Sequence, residues 1–373
     1  MVNKKRIIDL FTELVEVGSE SGSEGKFRDL LVAKFEKRGL KAVEDDAATI
    51  TKGDSGNLLV RVPGTIEADP ILFSGHMDTV RPGVGIEVII EDGIIKSKGE
   101  TILGSDDKAA IAAIIEAYDV LIENNIDYPP LEFLFTVCEE KGLKGVKAFD
   151  FTSLKSTIGY VLDAGGDPGN IVIKSPAQNR IEYKVWGQAA HAGINPEDGV
   201  NAIKLAGLAL SKMPSGRIDE ETTCNLGIIS GGKARNVVAD YCAIKGEARS
   251  LSRNKLDNLT EKLAHTFKTT VEENGGRAEV QVTFLYPEIS LNPDDAVVKS
   301  AVKAMKSIDL KPILASTGGG SDASIINGKG ISCANLGIGM QKVHTNEEFI
   351  KVNDLVSNAK IVLAIIEQFT AQN

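Results

Sequence analysis

The sequence predicts an α/β protein with a mixed, mostly parallel sheet, into which a smaller four-stranded domain is inserted. Apolar runs such as ILFSGH (71–76) alternate with helical segments, as is typical of strands covered by helices on both faces. Near residue 175, strands of alternating polarity begin, in the order β-α-β-β-α-β, which is the ferredoxin-like arrangement. With 373 residues, the chain also exceeds the length that one hydrophobic core usually supports.

The first 174 residues predict two helices, followed by alternating strands and helices. Apolar side chains recur at helical spacing from Ile7 to Val15. Ser21 with Glu24 predicts a capping box before a second helix, which ends near Gly39. The strands that follow are predicted at NLLVRVPG (57–64), ILFSGH (71–76), LEFLFTVCEE (131–140) and IGYVLDAGG (158–166), with a helix at DDKAAIAAIIEAYDVLIENN (106–125).

The inserted domain is predicted to span residues 175–288. Its strands are RIEYKVWGQ (180–188), CNLGIISGG (224–232), YCAIKGEARS (241–250) and AEVQVTFLYPEI (278–289), and its helices are GVNAIKLAGLALSKM (199–213) and NKLDNLTEKLAHTFKTTVEENGG (254–276). The α/β order then resumes with a helix at 294–308, a strand at 331–339 and a final helix from Glu347. Residues 1–174 and 289–373 are therefore expected to form one domain.

Charge and cysteine content exclude several classes of function. A formal net charge of −10 argues against a large surface for nucleic acid or anionic membranes, because both need clustered Lys and Arg. The four scattered cysteines predict buried free thiols in a reducing compartment. Asp9, Glu13 and Glu16 interrupt the apolar positions of the N-terminal segment, which favours an amphipathic helix over a signal peptide. We therefore expect a cytoplasmic protein without nucleic-acid or membrane partners.

Ionisable side chains cluster just beyond the predicted strands, where open α/β sheets form their sites. The cluster comprises His76, Asp78, Asp106, Asp107, Glu139, Glu140, Asp163 and His344. Each residue alone has an ordinary structural explanation, such as a helix cap, a turn or an exposed strand end. Together, two histidines and several carboxylates would be electrostatically costly without a cation, and Zn²⁺ binds this mixture of imidazole and carboxylate.

Two metal ions fit this cluster better than one. Two histidines and three carboxylates supply five ligands, and one carboxylate can bridge ions roughly 3.5–4 Å apart. A water held between the ions would ionise near neutral pH, and the adjacent Glu139 and Glu140 can divide the roles of proton acceptor and metal ligand. Asp78 is placed to hydrogen-bond the second ring nitrogen of a metal-binding His76. Carboxylate-rich sites also accept Co²⁺ or Mn²⁺, so two divalent ions are predicted, with zinc first.

A series of motifs gives these residues a family context. In chain order the motifs are SGHMDTV, GSDDKAA, TVCEEKGLKG, YVLDAGG, GQAAHAG, GGKARNVVAD, STGGGSDAS and VHTNEE. Together they resemble the co-catalytic zinc peptidases that include peptidase T, carboxypeptidase G and the aminoacylases, most closely the peptidase T-like branch. The resemblance covers nearly the whole chain. It implies a zinc-peptidase catalytic domain with an inserted lid and dimerisation domain.

The resemblance implies a role for each residue of the cluster. The implied metal ligands are His76 and Asp163 for one zinc ion, Glu140 and His344 for the other, and Asp106 as the bridge. Asp106 is preferred to Asp107 because the family's bridging residue lies two positions before a lysine, here Lys108. Glu139 would be the general base, and Asp78 the carboxylate that orients a ligand histidine.

In the inserted domain, the resemblance implies residues that act on the substrate. His191 would reach the active site of a partner subunit and stabilise the developing oxyanion, which requires at least a homodimer. Asn236 and Arg249 would contact the substrate, and the loop around Gly319 would place backbone groups against the bound peptide. From spacing alone, a surface side chain is the favoured interpretation of His191. For Arg249, an ordinary surface or ion-pair role is the alternative to substrate contact. A phosphate-binding loop is disfavoured, because STGGGSDAS lacks the lysine and spacing of a P-loop.

One position departs from the family pattern. Peptidase T carries an arginine just before the corresponding Gly-Gly pair, where it grips a peptide's terminal carboxylate, but this chain has Gly318 there. The predicted function is a two-metal amidohydrolase, an aminopeptidase on short peptides, that acts through a metal-bridging hydroxide. The alternatives are a dipeptidase, an N-acyl-amino-acid deacylase and, from another class, a catalytically inactive metal-binding regulatory module. A nucleotide-dependent enzyme is disfavoured, because no GxGxxG follows the first strand.

Overall fold

A computed structural model of the chain describes residues 1–371. The chain divides into two compact units. The first unit comprises residues 1–174, residues 291–316 and the chain from Ser321 onward, and the second comprises residues 175–290 with the short segment 317–320. Within the described residues, no helix is both long and apolar enough to cross a membrane.

The secondary structure alternates between helices and strands along the first unit. The helices of the chain are α1 (Lys4–Glu16), α2 (Gly25–Glu36), α3 (Ala48–Thr51), α4 (Ser105–Glu123), α5 (Lys144–Ala148), α6 (Ala202–Ser211), α7 (Arg253–Glu273), α8 (Ala296–Ser307), α9 (Asp322–Gly328) and α10 (Val352–Thr370). The strands are β1 (Ala42–Glu44), β2 (Leu58–Val62), β3 (Ile71–His76), β4 (Val88–Glu91), β5 (Ile94–Ser97), β6 (Leu131–Thr136), β7 (Ile158–Ala164), β8 (Asn170–Ser175), β9 (Ala177–Trp186), β10 (Gly216–Arg217), β11 (Thr222–Gly231), β12 (Tyr241–Ser250), β13 (Arg277–Tyr286), β14 (Ile289–Ser290), β15 (Ile313–Ser316), β16 (Ser332–Gly337) and β17 (Phe349–Lys351).

A mixed sheet forms the centre of the first unit, so the predicted fold class is confirmed. Among the strands of this unit the order is β1-β2-β6-β3-β7-β16-β8, and β15 pairs with β8. The central pairs β6–β3, β3–β7 and β7–β16 are parallel, whereas β1–β2, β2–β6 and β16–β8 are antiparallel. Every residue of β3 and of β6 is buried, which explains their mostly apolar sequences.

The core of the first unit lies between this sheet and its helices. Helix α4 packs against β3, α1 and α10, and its alanines and isoleucines are buried along most of its length. Aromatic rings fill the sheet surface, with Phe73 stacked on Tyr160 and Phe35 on Phe135 at centroid distances of 5.7 and 5.6 Å. Helix α1 buries Ile7, Phe11 and Leu14, in agreement with its predicted helical spacing.

Two local predictions in the first unit are wrong. Ser21 and Glu24 do not form a capping box, because the Ser21 hydroxyl donates to Oδ2 of Asp78 at 2.6 Å and Oε1 of Glu24 accepts from the backbone N–H of Cys138 at 3.1 Å. The last helix begins at Val352 rather than near Glu347, because residues 349–351 form β17 and pair with β5. In both places, partners distant in sequence override a local pattern.

The second unit is an antiparallel sheet with two helices on one face. The sheet order is β10-β11-β12-β9-β13, and the chain order β9-α6-β11-β12-α7-β13 is the ferredoxin-like arrangement with the short strand β10 added. Helices α6 and α7 cover one face, where Tyr183 packs on Phe267 with ring centroids 4.7 Å apart. Among the described residues, β10 pairs with Thr223 and Cys224 of β11. The rest of β11 is a sheet edge within residues 1–371, and it carries the exposed Ile228 and Ile229.

Candidate metal centre

The candidate metal centre lies at the carboxyl edge of the central strands in the first unit. His76 is the last residue of β3, Asp163 lies near the end of β7, and residues 139–140 follow β6. Because β6, β3 and β7 are adjacent and parallel, their carboxyl ends meet at one edge of the sheet. Asp106 joins them from the start of α4, and His344 joins them from the segment between β16 and β17.

His76 is buried, and its two ring nitrogens have different partners. Nδ1 lies 2.8 Å from the backbone carbonyl oxygen of Asp78, and Nε2 lies 3.0 Å from Oδ1 of Asp106. A carbonyl oxygen only accepts, so Nδ1 carries the proton and the lone pair of a neutral ring lies on Nε2. That lone pair faces the Asp106 carboxylate, so two electron-rich atoms, Nε2 and Oδ1, lie next to each other. A proton or another cation is needed between them. Burial lowers the pKa of His76, but hydrogen bonds and charges of Asp106 and Asp78 outweigh it and raise the pKa well above its usual value.

The carboxylate of Asp106 lies between the two histidines. Oδ1 is 3.0 Å from Nε2 of His76, and Oδ2 is 3.3 Å from Nε2 of His344. The same His344 nitrogen is 2.8 Å from Oε1 of Glu140. Hydrogen bonds with Asp106 and Glu140 raise the pKa of His344 to about 10. Burial disfavours the charge on Asp106, but hydrogen bonds with the two histidines outweigh it and lower the pKa of Asp106.

Asp107 and Asp163 form a second group with His76. The ligand atoms of these three residues lie within 4.8 Å of one another, as do those of a first group made of His76, Asp106 and Glu140. Oδ2 of Asp107 accepts a hydrogen bond from the backbone N–H of His76 at 3.1 Å, while its buried Oδ1 has no partner among the described residues. Burial, reinforced by neighbouring carboxylates, raises the pKa of both Asp107 and Asp163 well above the usual value.

Asp107 also explains the glycine before His76. A Cβ atom at Gly75 would lie 2.7 Å from Oδ2 of Asp107, closer than a real Cβ comes to an oxygen. The glycine therefore lets α4 bring its first turn against the end of β3. The family resemblance implies Asp106 rather than Asp107 as a metal ligand, whereas the packing of α4 on β3 brings both carboxylates to the site.

Asp78 holds the backbone of the Glu139–Glu140 pair. Its Oδ1 accepts from the backbone N–H of Glu139 at 2.9 Å, and its Oδ2 accepts from that of Glu140 at 3.2 Å. The nearest Asp78 carboxylate oxygen is 3.5 Å from Nδ1 of His76, so the Asp78 carbonyl at 2.8 Å is the closer partner of the ring. Burial, followed by the charge of Asp163, raises the pKa of Glu139 well above its usual value.

The donors at this edge fit divalent metal ions. Imidazole nitrogens and carboxylate oxygens within hydrogen-bond distance of one another are the ligands that Zn²⁺, Co²⁺ and Mn²⁺ accept. Without a cation, burial and mutual repulsion favour the neutral forms of Asp107, Glu139 and Asp163. The unpartnered buried oxygen of Asp107 is a further sign that the edge is built around positive charge.

Two buried carboxylates near this edge were not predicted from the sequence. Glu348 accepts hydrogen bonds from the start of α4, including one from the backbone N–H of Asp106. Asp322, at the start of α9, accepts from the Thr136 hydroxyl, and its Oδ1 has no partner among the described residues. Burial raises the pKa of Asp322 to about 6. Glu348 lies in the motif VHTNEE, and Asp322 lies in STGGGSDAS. An acidic residue without an assigned role in such a motif was the sequence feature that could have indicated them.

The remaining predicted site residues lie in the second unit. His191 pairs with Val237 in an isolated bridge, and the backbone N–H of Ala192 donates to the carbonyl of Asn236 at 3.0 Å, so His191 and Asn236 lie on adjacent, exposed segments. Arg249 Nε lies 2.9 Å from Oε1 of Glu247.

Arg249 also holds the glycine-rich loop of the second unit. Its guanidinium donates to the carbonyl oxygen of Gly318 at 3.0 Å. Gly319 donates its N–H to the Thr317 hydroxyl at 3.4 Å. A Cβ at Gly320 would lie 2.3 Å from the ring of Tyr286, so this loop packs directly on an aromatic side chain.

Comparison with known proteins confirms the family resemblance. The model of Peptidase family M20/M25/M40 matches residues 72–368. Uncharacterized protein YqjE of Bacillus subtilis (strain 168) is 44% identical over 368 residues, which cover 99% of each chain. The crystal structure of aminopeptidase PepT from Bacillus cereus ATCC 10987 matches with a TM-score of 0.95 and 44% identity over 99% of each chain. That of a tripeptidase from Staphylococcus aureus subsp. aureus Mu50 matches with a TM-score of 0.96 and 40% identity over 100% of each chain. This chain is therefore a member of peptidase family M20/M25/M40.

Proposed function

We propose that this chain is a two-metal amidohydrolase that acts as an aminopeptidase on short peptides. The observation that carries this proposal is the carboxylate of Asp106, whose two oxygens each face a different histidine, His76 or His344. A carboxylate shared between two such ligands suits a site for two cations. The full-length similarity to the PepT aminopeptidase and to the tripeptidase supports the substrate class.

The proposed ligands are the residues that the family resemblance implies. We assign His76 and Asp163 to one ion, Glu140 and His344 to the other, and Asp106 to both. Bound divalent ions would supply Lewis acidity that polarises the scissile carbonyl group. Zinc is the first choice, and Co²⁺ or Mn²⁺ suits the same donors.

Glu139 is the proposed general base. Its backbone is held by Asp78, and burial raises its pKa, which makes the carboxylate a stronger proton acceptor. Glu139 would accept a proton from the attacking water and deliver it to the nitrogen of the leaving amine. Asp78 would keep this side chain in place through the backbone of residues 139–140.

The second unit is the proposed lid and dimerisation domain, within residues 175–288, and residues 1–174 and 289–373 the catalytic domain. We assign His191 to stabilisation of the developing oxyanion in a partner subunit, and Asn236, Arg249 and the backbone of Gly319 to substrate contact. The unpaired edge of β11, with Ile228 and Ile229 exposed, supports an interface between two copies of the chain. We place the enzyme in the cytoplasm.

A second candidate function is favoured by Gly318. Its backbone carbonyl accepts a hydrogen bond from Arg249, and residue 318 itself has no cationic side chain that could bind a peptide's terminal carboxylate. Without an arginine at this position, a strict preference for tripeptides loses its basis, and a dipeptidase or an N-acyl-amino-acid deacylase with the same metal centre becomes the alternative. A catalytically inactive metal-binding module is the remaining alternative.

The test is hydrolysis of a matched set of compounds: a dipeptide, a tripeptide with a free amino terminus, its N-acetylated form, and an N-acyl amino acid. Each is measured with added Zn²⁺ and with a chelator. We expect cleavage of the free-amino peptides and its loss with chelator. Cleavage of the acylated compounds alone would move the function to deacylation, and no cleavage of any compound would support the inactive module.

Substitution of Glu139 distinguishes a general base from a metal ligand. Glu139→Ala should lower kcat by at least about 100-fold, because general-base catalysis is lost, while metal content stays near that of the wild type. Glu347→Ala, at an exposed glutamate on another segment, is the control and should retain activity. Full activity of Glu139→Ala would exclude Glu139 as the base.

A further inference from the structure

Glu348 is a buried carboxylate to which the proposed reaction assigns no role. Its Oε2 accepts hydrogen bonds from the backbone N–H groups of Leu103 and Gly104, both at 2.9 Å. Its Oε1 accepts from the backbone N–H groups of Ser105 at 2.7 Å and Asp106 at 3.2 Å, and from the Ser105 hydroxyl at 2.6 Å. Glu348 is only 2% exposed, so these five donors have little access to water.

The backbone conformation explains why this segment needs such an acceptor. Gly104 has a φ of +75°, and Asp106 has non-helical angles of φ −85° and ψ 99°, so residues 103–106 turn their N–H groups toward one point. N–H groups at the start of a helix have no partner within the helix, and burial without an acceptor is costly. A carboxylate offers two oxygens with about four lone-pair positions, which suits these converging donors.

Glu348 connects two segments that are distant in sequence. It lies four residues after His344, and its partners in residues 103–106 are 242 to 245 positions away. Nε2 of His344 lies 3.3 Å from Oδ2 of Asp106, so the two segments meet again at the candidate metal centre.

We propose that Glu348 is a positioning residue of the metal centre. Its carboxylate fixes the backbone of Asp106 relative to the segment of His344, and so sets the position from which Asp106 would hold metal ions. This inference rests on the proposed roles of Asp106 and His344 as metal ligands. Residues that orient a ligand without touching the metal typically contribute 10- to 100-fold to metal affinity or activity.

The test is Glu348→Gln, which preserves the size of the side chain but turns one acceptor oxygen into an NH₂ donor that faces backbone N–H groups. Zinc affinity is measured by competition with a chromophoric chelator, and ligand geometry by the visible absorption of the Co²⁺-loaded protein. We expect zinc affinity to fall about 10- to 100-fold and the Co²⁺ spectrum to change. Glu347→Gln is the matched control, because the exposed Glu347 pairs only with Lys342 at 2.5 Å among the ion pairs of the described residues, and it should match the wild type.

The thermal midpoint of the metal-free variant distinguishes positioning from simple helix capping. A lower midpoint with unchanged zinc affinity and Co²⁺ spectrum would overturn the inference, because Glu348 would then stabilise the fold alone. If Glu348→Gln does not fold, Ser105→Ala removes one of the five hydrogen bonds and keeps the carboxylate. That variant should lower zinc affinity roughly 2- to 10-fold, and wild-type affinity would overturn the inference. A wild-type protein that binds no metal would instead overturn the proposed function, and this inference with it.

Discussion

Oδ1 of Asp78 lies 2.9 Å from the backbone nitrogen of Glu139, so a fully buried carboxylate holds the residue that we propose as the base. The other oxygen of Asp78 accepts from the Ser21 hydroxyl and from the backbone of Glu140. Burial disfavours the charge on Asp78, but hydrogen bonding with His76 and these donors outweighs it and lowers the pKa of Asp78. A charged Asp78 therefore orients two adjacent glutamates.

Asp78→Asn should lower kcat/KM by about 10- to 100-fold while the protein stays folded. The amide replaces one acceptor oxygen with a donor, so one of the N–H groups of residues 139–140 loses its partner. The measurement is steady-state kinetics on a cleaved peptide, with circular dichroism as the check on folding. Asp9→Asn, on the exposed face of α1, is the control. A kcat/KM within twofold of the wild type would show that Asp78 is not needed for positioning.

Mixing two inactive variants tests whether His191 acts across a dimer. If His191 serves the site of a partner subunit, a heterodimer of His191→Ala and Glu139→Ala contains one complete site. Random re-association of equal amounts should then restore about a quarter of wild-type activity, because half of the dimers are mixed and each has one working site of two. The measurement is activity after joint unfolding and refolding, with each variant treated alone as the control. No recovery in a sample that sedimentation shows to be dimeric would argue that His191 acts within its own chain or not at all.

Zinc should stabilise the protein more at about pH 8 than at about pH 6. The pKa of His344 is raised from about 6.5 in the unfolded chain to about 10 in the fold. The proton on His344 therefore stabilises the metal-free fold fully below about pH 6.5, and this contribution is lost as the pH rises through about 10. The pKa values of Glu139 and Asp163 are also raised in the fold. Above the pKa values that these groups have in the unfolded chain, rising pH therefore destabilises the metal-free fold as well. Metal binding displaces these protons, so its contribution grows with pH. The measurement is the shift of Tm on zinc addition at both pH values, and a larger shift at the lower pH would contradict the sign.

Arg6→Ala should lower the free energy of unfolding by about 2–3 kcal/mol, because it leaves the buried Glu116 carboxylate without its cation. Arg6 Nε lies 2.6 Å from Oε2 of Glu116, whose side chain is fully buried, while the Arg6 side chain is 26% exposed. That exposure keeps the expected loss below the value for a fully buried pair. The measurement is urea denaturation of the metal-free protein. Lys5→Ala, which removes an exposed pair with Asp9, is the control and should cost less than about 1 kcal/mol.

Local sequence patterns predicted five strands of the main sheet, which are β2, β3, β6, β7 and β16, but missed β1, β8 and β15. They also predicted the ferredoxin-like order of the insertion and the residues that stand at the strand ends. These features follow from local patterns, because burial on both faces makes β3 and β6 mostly apolar and half-burial makes β9 alternate. The identity of His76, Asp163 and the Glu139–Glu140 pair as strand-end residues needed no knowledge of distant partners.

The contacts between distant segments could be read only from the folded chain. Asp107 lies against Gly75, and the Ser21 hydroxyl donates to Asp78 instead of capping a helix. The N–H groups at the start of α4 donate to Glu348, which is more than 240 residues away in the sequence. The spacing of apolar residues indicates how much of a segment is buried. A hydrogen bond between two distant segments depends on how the chain folds, and the spacing of apolar residues contains no information about that. The strand ends could therefore be predicted, and the residues that hold them in place could not.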